Sequence, residues 1–288
     1  MQMTLPKEKQ DLLNAIVSDI STVDGVQAIV LGGSFATGTA TAKSDIDIGI
    51  YYLEKKPFNV EEIRTIAQKY SDNEQPTVTD FYEWGPWVNG GAWIKTAHGD
   101  VDFLYKNIEQ ITSTIANAKN GIWENHFEQQ PPFGFSSIFF LAETQCCVPL
   151  YEVDNVIQKL KTEVAQYPEK LKKSVIQQSL WSAEFTIWHA HNFVEKQDMY
   201  NIVGCLTRAL KSIVTALFAI NELYPIGDKR AIELLEKASV KPSDVKKKIE
   251  KIVCVDKDAP KKNIALLQSL WLETINCTNG EYKSFYNL

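Results

Sequence analysis

Residues 30–52 read VLGGSFATGTATAKSDIDIGIYY, and this stretch decides the fold. An apolar strand is predicted to end in Gly32-Gly33-Ser34, a loop of small residues follows, and a second predicted strand begins with Asp45 and Asp47. Side chains two apart on a strand point to the same face of the sheet. Two carboxylates on one face repel each other, which lowers stability unless a cation lies between them.

The residue types around these acids indicate a site for a metal ion and a phosphate. Magnesium prefers hard oxygen ligands such as carboxylates. Gly33 lets the backbone approach a ligand closely, and Ser34 is expected to cap a short helix whose first amides hold a phosphate. The structural alternative is that Asp45 and Asp47 are solvent-facing residues of an edge strand. Neither Gly-Lys-Ser/Thr nor GxGxxG occurs here, which argues against a P-loop and a dinucleotide fold.

Gly33-Ser34, a gap of about ten residues and then Asp45-x-Asp47 together resemble the nucleotidyltransferase signature of the polymerase-β superfamily. That family adds a third carboxylate on a later strand, and the resemblance assigns this role to Asp102 in the apolar run 101–105. Asp100 competes for it, being two positions earlier on the same face. Asp102 is preferred because it is embedded in the apolar run. It is alternatively a hydrogen-bonded strand residue without metal.

The resemblance implies a mechanism with two magnesium ions, about 3.5–4 Å apart, that clamp the α-phosphate of a nucleoside triphosphate. Asp45 and Asp47 would bind both ions, and Asp102 would bind the ion nearer the acceptor. Asp102 is also a candidate to accept the acceptor's proton. ATP, with transfer of AMP, is the expected case, although another triphosphate is compatible with the motif.

The chain is predicted to be an α+β protein with two domains. Residues 1–150 mix helices and strands, as expected for a polymerase-β-like nucleotidyltransferase domain with a mixed sheet. Residues 151–288 contain only predicted helices separated by proline and glycine, as in an all-α helical bundle. This plan resembles the antibiotic nucleotidyltransferases, the kanamycin and streptomycin–spectinomycin enzymes. The helical domain is expected to cover the active-site cleft.

Three tryptophans, Trp84, Trp87 and Trp93, lie between the second and third carboxylates. They are either core and turn aromatics or a stacking wall for a base or a ring-shaped acceptor. Between them, Asn89-Gly90 predicts a tight hairpin.

Three more residues are candidates for contacts in the cleft. Glu143 lies in a predicted buried helix, where a carboxylate is either paired or functional. By analogy with a glutamate base in the kanamycin enzymes, Glu143 is a candidate general base beside Asp102. Arg208 and Lys211 share a polar stripe on an apolar helix. That stripe is either a solvated face or a cationic contact to the triphosphate.

The composition of the chain limits the classes of binding partner and the compartment that are expected. A formal charge of −6 at 288 residues argues against a basic nucleic-acid-binding surface. No run of about 18 uncharged apolar residues predicts a membrane span, and the N-terminal residues lack a signal core. Five cysteines without a CxxC pair fit small buried residues of a cytoplasmic protein.

The sequence therefore favours a cytoplasmic, magnesium-dependent nucleotidyltransferase acting on a hydroxyl of a small molecule, such as an antibiotic. Two alternatives stay open. One is nucleotidylation of a protein or an RNA end, and the other is a regulatory or antitoxin nucleotidyltransferase.

Overall fold

A computed structural model of the chain describes residues 5–72, 75–286 and 288. It divides into two compact units. The first unit runs to Ala116 and resumes from Asn125 to Gln166, and the second comprises Asn117–Glu124 and the residues from Tyr167 onward. The domain limit predicted at residue 150 lies inside a strand of the first unit, because Val148–Glu152 pairs with the sheet.

The first unit is built on one mixed sheet. In chain order its elements are α1 (Lys7–Ile20), β1 (Val26–Leu31), α2 (Gly33–Ala36), β2 (Ile46–Tyr52), α3 (Val60–Tyr70), β3 (Thr77–Val78), β4 (Gly91–Thr96), β5 (Gly99–Asn107), α4 (Ile108–Lys119), β6 (Asn125–His126), β7 (Phe135–Ser136), α5 (Ile138–Cys146), β8 (Val148–Glu152) and α6 (Val156–Glu163). The strand order is β3-β4-β5-β2-β1-β8, with β2 and β5 parallel and the other neighbours antiparallel. A separate two-stranded sheet pairs β6 with β7.

The alternation of side chains along the central strands decides which face of the sheet becomes part of the core. Ile46, Ile48 and Ile50 of β2 are buried on one face, together with the alternate residues of β5. Helices α1 and α3 cover this face through apolar side chains such as Ile16 and Ile63. The side chain of Asn59 accepts a hydrogen bond from the Glu61 amide and so caps α3.

The opposite face carries Asp47, Gly49 and Tyr51 of β2. The Tyr51 side chain is fully buried, and burial together with the nearby Glu143 and Cys147 raises its pKa well above the ordinary value. Helix α5 therefore covers this face near the carboxyl ends of β2 and β5. Asp47 lies at the other end of β2.

The second unit is helical, as predicted. Its helices are α7 (Glu169–Glu195), α8 (Met199–Ile220), α9 (Ala231–Glu236), α10 (Val245–Val253) and α11 (Pro260–Asn276). The long helices α7 and α8 pack along each other, and α11 packs on both. The buried Trp271 indole donates to the Leu180 carbonyl at 3.2 Å, which ties α11 to α7. The chain thus has the α+β class expected from the sequence, a mixed sheet followed by a helical part.

Helix α8 is the one helix in the described part of the chain that is long and apolar enough to cross a membrane by length and composition. Half of its most apolar window is buried inside the protein. Core helices of water-soluble proteins meet the same two criteria, so this observation is weak evidence for a span.

The segment between β3 and β4 differs from its prediction. Strand β3 ends at Val78, because the chain turns at residues 80–83 and Tyr82 adopts a positive φ of 64°. The prediction of a tight hairpin at Asn89-Gly90 is wrong. Asn89 is buried, and the tight turn lies instead between Thr96 and Gly99, where β4 meets β5.

Strand β8 was not predicted, since Pro149 interrupts a run without alternation. Proline is tolerated there because β8 is the edge strand of the sheet. The five cysteines are free, as expected, but only Cys147 is fully buried and Cys254 is exposed.

Candidate active site

Two of the predicted carboxylates lie side by side on the sheet. Asp47 of β2 and Asp102 of β5 are direct partners in the parallel register. Neighbouring strands are about 5 Å apart and partners in register point to the same face. Both side chains are half-buried. The fold therefore places two like charges next to each other at the amino ends of two central strands.

The other two acids of these segments lie further out. Asp45 immediately precedes β2 and is exposed. Asp100 is also exposed and pairs with Lys95 of β4. It lies two residues before Asp102, the residue that pairs with Asp47. The register thus brings Asp102, and not Asp100, beside Asp47.

Gly33 lies against Asp47 and has no room for a side chain. Its φ is +55°, and an ideal Cβ would lie 1.7 Å from Oδ2 of Asp47. The preceding residue, Gly32, donates its amide to the Asp47 carbonyl at 2.8 Å. The Gly32-Gly33 turn therefore lies directly against the Asp47 carboxylate.

Ser34 follows in the same turn. Its Oγ is buried and has no hydrogen-bond partner among the described residues. An unsatisfied buried hydroxyl carries a free-energy cost that a ligand oxygen would recover. Ser34 was expected to cap a helix, but the cap position is Gly32 and α2 is a single turn. Any contact to a phosphate here rests on the Gly33 backbone and this hydroxyl rather than on a helix dipole.

These features fit magnesium with a triphosphate better than an all-protein metal cage. In the described residues, no group of three or more His, Cys, Asp or Glu side chains is arranged to hold a metal ion, so Asp45, Asp47 and Asp102 do not form such a group. Magnesium is usually held by one or two carboxylates together with substrate phosphates. Asp47 and Asp102 supply that number of carboxylates, and the Gly33 turn lies against the Asp47 carboxylate.

Lys9 is a residue of this region that the sequence reasoning missed. It is 9% exposed, its Nζ donates to the Ser44 carbonyl at 2.5 Å, and it lies 5.5 Å from the centre of the Phe35 ring. Lys9 thereby ties α1 to α2 and to the loop that precedes Asp45. Its spacing from Leu13 and Ile16 on the apolar face of α1 was a signal that could have identified it.

The three tryptophans separate into two groups. Trp87 packs on His126, Phe135 and Phe140 with ring centres 4.9–5.5 Å apart, as a core aromatic does. Trp84 and Trp93 instead stack on each other at 4.8 Å, and Trp93 is 55% exposed.

Trp93 is also the direct register partner of Asp102. One row across the sheet therefore runs from the Gly33 turn through Asp47 and Asp102 to Trp93.

Glu143 lies on α5, which covers the same sheet face. Its Oε2 is 2.6 Å from Nζ of Lys106, a lysine that also lies over the Phe140 ring. Lys106 is four residues beyond Asp102 on β5, a Cα separation of about 13 Å. The glutamate is therefore one member of an ion pair near the other end of the strands.

Arg208 and Lys211 belong to α8 of the second unit. Arg208 is exposed, whereas Nζ of Lys211 is 2.7 Å from Oδ1 of Asp228. Contact of either residue with a triphosphate stays a prediction. Glu184 of α7 is fully buried and accepts hydrogen bonds from Tyr282 and Ser284 at 2.5 and 2.6 Å, which anchors the carboxyl-terminal segment to this helix.

Residues 12–89 match the family model described as "Nucleotidyltransferase domain". The match includes Gly33, Ser34, Asp45 and Asp47 and ends before Asp102. No curated protein matches the chain. A similar solved structure is a nucleotidyltransferase-like protein from Exiguobacterium sibiricum 255-15, with 11% identity over 95% of this chain and 78% of that chain and a TM-score of 0.48. The chain therefore contains a nucleotidyltransferase domain in its first unit, and the protein is a transferase.

Proposed function

We propose that this protein transfers a nucleoside monophosphate from a triphosphate to a hydroxyl group of a small molecule, with magnesium as the metal. AMP from ATP is the case to test first, and an antibiotic is one acceptor class to include. The proposal rests above all on the register pairing of Asp47 with Asp102 beside the Gly33 turn.

Charge is the physical reason that this arrangement favours a metal and a phosphate. Two carboxylates in register repel each other, and a cation bound between them would offset this repulsion. Asp47 and Asp102 are the residues that would hold magnesium, with Asp45 at the entrance of β2 as a further ligand. Bound magnesium would polarise the phosphoryl oxygens and offset the charge that develops on the leaving group.

In the proposed reaction the acceptor oxygen attacks the α-phosphorus of the triphosphate. The bond from the α-phosphorus to the bridging oxygen breaks, pyrophosphate leaves, and the hydroxyl proton passes to a carboxylate. We assign that proton to Asp102, because Glu143 is engaged by Lys106 at 2.6 Å. Ser34 Oγ and the Gly33 backbone would position the phosphates, which is the main contribution of a protein to phosphoryl transfer.

A transfer assay with labelled triphosphates tests this function. The purified protein would be incubated with magnesium, each of the four labelled ribonucleoside triphosphates, and panels of hydroxylated small molecules, tRNA or cell lysate. We expect label on a small molecule and release of pyrophosphate, both abolished by Asp47→Asn. Label confined to protein or RNA would overturn the small-molecule assignment, and no label with any acceptor would count against transfer itself.

A further inference from the structure

A cavity of about 450 Å³ lies within the first unit, next to the row of site residues. Pockets for small molecules generally range from about 300 to 1,000 Å³. Two segments form its walls, the turn after β3 and the stretch that begins with β6. The walls include Trp84, Pro86, Asn125, His126, Phe127 and Glu128.

Trp84 connects the cavity to the two carboxylates. It lines the cavity and stacks on Trp93 at 4.8 Å. Trp93 is the register partner of Asp102. The cavity therefore lies on the Asp102 side of the row, whereas the Gly33 turn lies on the Asp47 side. A ligand in the cavity and phosphates at Gly33 would approach the carboxylates from opposite directions.

The turn that carries Trp84 is fixed in place by Gln129. The Gln129 amide donates to the Trp84 carbonyl at 2.6 Å and accepts from the Trp87 amide at 3.1 Å. Gly85 has a φ of +116°, and a Cβ there would lie 2.6 Å from the Gln129 side chain. The wall of the cavity is thus formed before a ligand binds, which reduces the entropy cost of binding.

The lining favours a flat cationic ligand over an anionic one. Phe127 is 71% exposed and Trp84 is half-buried, so both leave aromatic surface accessible to a ligand. Glu128 is an acid, and in the part of the chain that the structure describes no lysine or arginine lines the cavity. Aromatic faces and a carboxylate both attract ammonium groups. The Glu128 carboxylate would repel a triphosphate.

We propose that this cavity is the acceptor site, and that the acceptor is a small ring compound with a hydroxyl group and a positive charge. The inference rests on the proposed function, since it takes the hydroxyl to be the group that receives the nucleotide. Trp84 and Phe127 hold the ring, Glu128 holds the cation, and the hydroxyl is directed toward Asp102.

A matched pair of probes tests the site without knowledge of the natural acceptor. Tyramine carries a ring, a hydroxyl and an ammonium group, and 4-hydroxyphenylacetate replaces the ammonium with a carboxylate. Saturation-transfer NMR at millimolar concentration would measure the binding of each probe to the full chain. We expect tyramine to bind, with a Kd at least fivefold higher in Glu128→Gln and in Trp84→Leu, and 4-hydroxyphenylacetate to bind at least fivefold more weakly.

Three results would overturn the inference: equal binding of both probes, no binding of tyramine, or tyramine binding that Glu128→Gln leaves unchanged. The exposed position of Glu128 makes its substitution compatible with folding, so the test does not depend on Trp84→Leu alone. Calorimetry of the same variants with magnesium and ATP separates this inference from the function. If ATP binds normally but tyramine does not bind, only the assignment of the acceptor site is contradicted. If tyramine binds but ATP does not, nucleotide transfer is contradicted and the cavity is still a binding site.

Discussion

On the sheet face that carries Asp47, the two ends of strands β2 and β5 differ in how their charged residues are placed. At the end covered by α5, Lys106 and Glu143 form an ion pair at 2.6 Å. At the other end, Asp47 and Asp102 stand directly beside each other. The first arrangement pairs opposite charges, and the second brings two carboxylates together. The difference supports the proposal that the covered end serves the fold and that the acidic end serves a ligand.

The largest effect is expected from the acids themselves. Asp47→Asn and Asp102→Asn should each lower nucleotide transfer by a factor of about 100 or more, because each removes a group that positions and neutralises the reacting phosphates. Unfolding temperatures should stay equal or rise, since repulsion between neighbours is relieved. Initial-rate assays and thermal melts would measure the two effects.

Asp100→Asn is the matched control, on the same strand and exposed. It should leave the rate within about twofold of the wild type, as surface substitutions outside a site usually do. A strong loss of activity in Asp100→Asn with near-normal turnover in Asp102→Asn would make Asp100, and not Asp102, the functional acid of β5.

Two glycines of one segment allow a second test of the acidic end. Gly33 and Gly38 both have positive φ, +55° and +69°, but a Cβ at Gly38 has nothing within 4 Å. Substitution by alanine should cost each site about 1–2 kcal/mol of backbone strain. Only Gly33→Ala should displace the Asp47 carboxylate, and a shift of about 1 Å lowers rates about 100-fold.

Kinetics and urea unfolding of both variants would separate strain from displacement. Equal activity in Gly33→Ala and Gly38→Ala would contradict the close approach of Gly33 to Asp47.

Substitutions in the ion pair at the end covered by α5 should have a smaller effect on activity and a clear effect on stability. Lys106→Met leaves Glu143 without its lysine partner and should lower the free energy of unfolding by about 1–3 kcal/mol. In a double-mutant cycle with Glu143→Gln, the coupling energy should lie between about 0.5 and 3 kcal/mol. Transfer by Glu143→Gln should fall less than about tenfold, below the usual range for a lost general base. A larger fall with an intact fold would make Glu143 the base in place of Asp102.

The smallest expected effect is on the reactivity of the Cys146 thiol, which lies near Glu143. Burial is the main cause that raises the pKa of Cys146 to about 11, with Glu143 adding to it. At pH 8 only about one thiol in a thousand is then the reactive thiolate. Iodoacetamide should modify Cys146 far more slowly than the exposed Cys254, and its rate should rise as the pH approaches 11. Mass spectrometry of labelled peptides would show this, and fast labelling of Cys146 at pH 8 would mean that the covered end is open.

The sequence was sufficient to predict the class of the fold and the acidic motif. Alternation in residues 46–52 and helical spacing in α1, α3 and α7 reflect burial on one side of an element, and such patterns can be seen in a single sequence. The signature Gly33-Ser34 with Asp45-x-Asp47 identified the family to which residues 12–89 match.

What the sequence could not provide was pairing between distant segments. The parallel register that sets Asp47 beside Asp102 joins residues about 55 positions apart, and local periodicity carries no information on it. The same limit applies to Gln129, whose side chain fixes the turn at Trp84, and to edge strand β8, where Pro149 removes the usual strand signal. Lys9 differs, because its position on an apolar helix face was visible.

The central claim is that Asp47 and Asp102 hold magnesium together with a triphosphate. Isothermal titration calorimetry with ATP, in magnesium and in EDTA, tests it most directly when wild type, Asp47→Asn and Asp100→Asn are compared. We expect ATP to bind wild type and Asp100→Asn at least about tenfold more tightly with magnesium than with EDTA, a difference of about 1.4 kcal/mol. In Asp47→Asn that difference should vanish. Equal affinity for ATP in magnesium and in EDTA in the wild-type protein would contradict the claim.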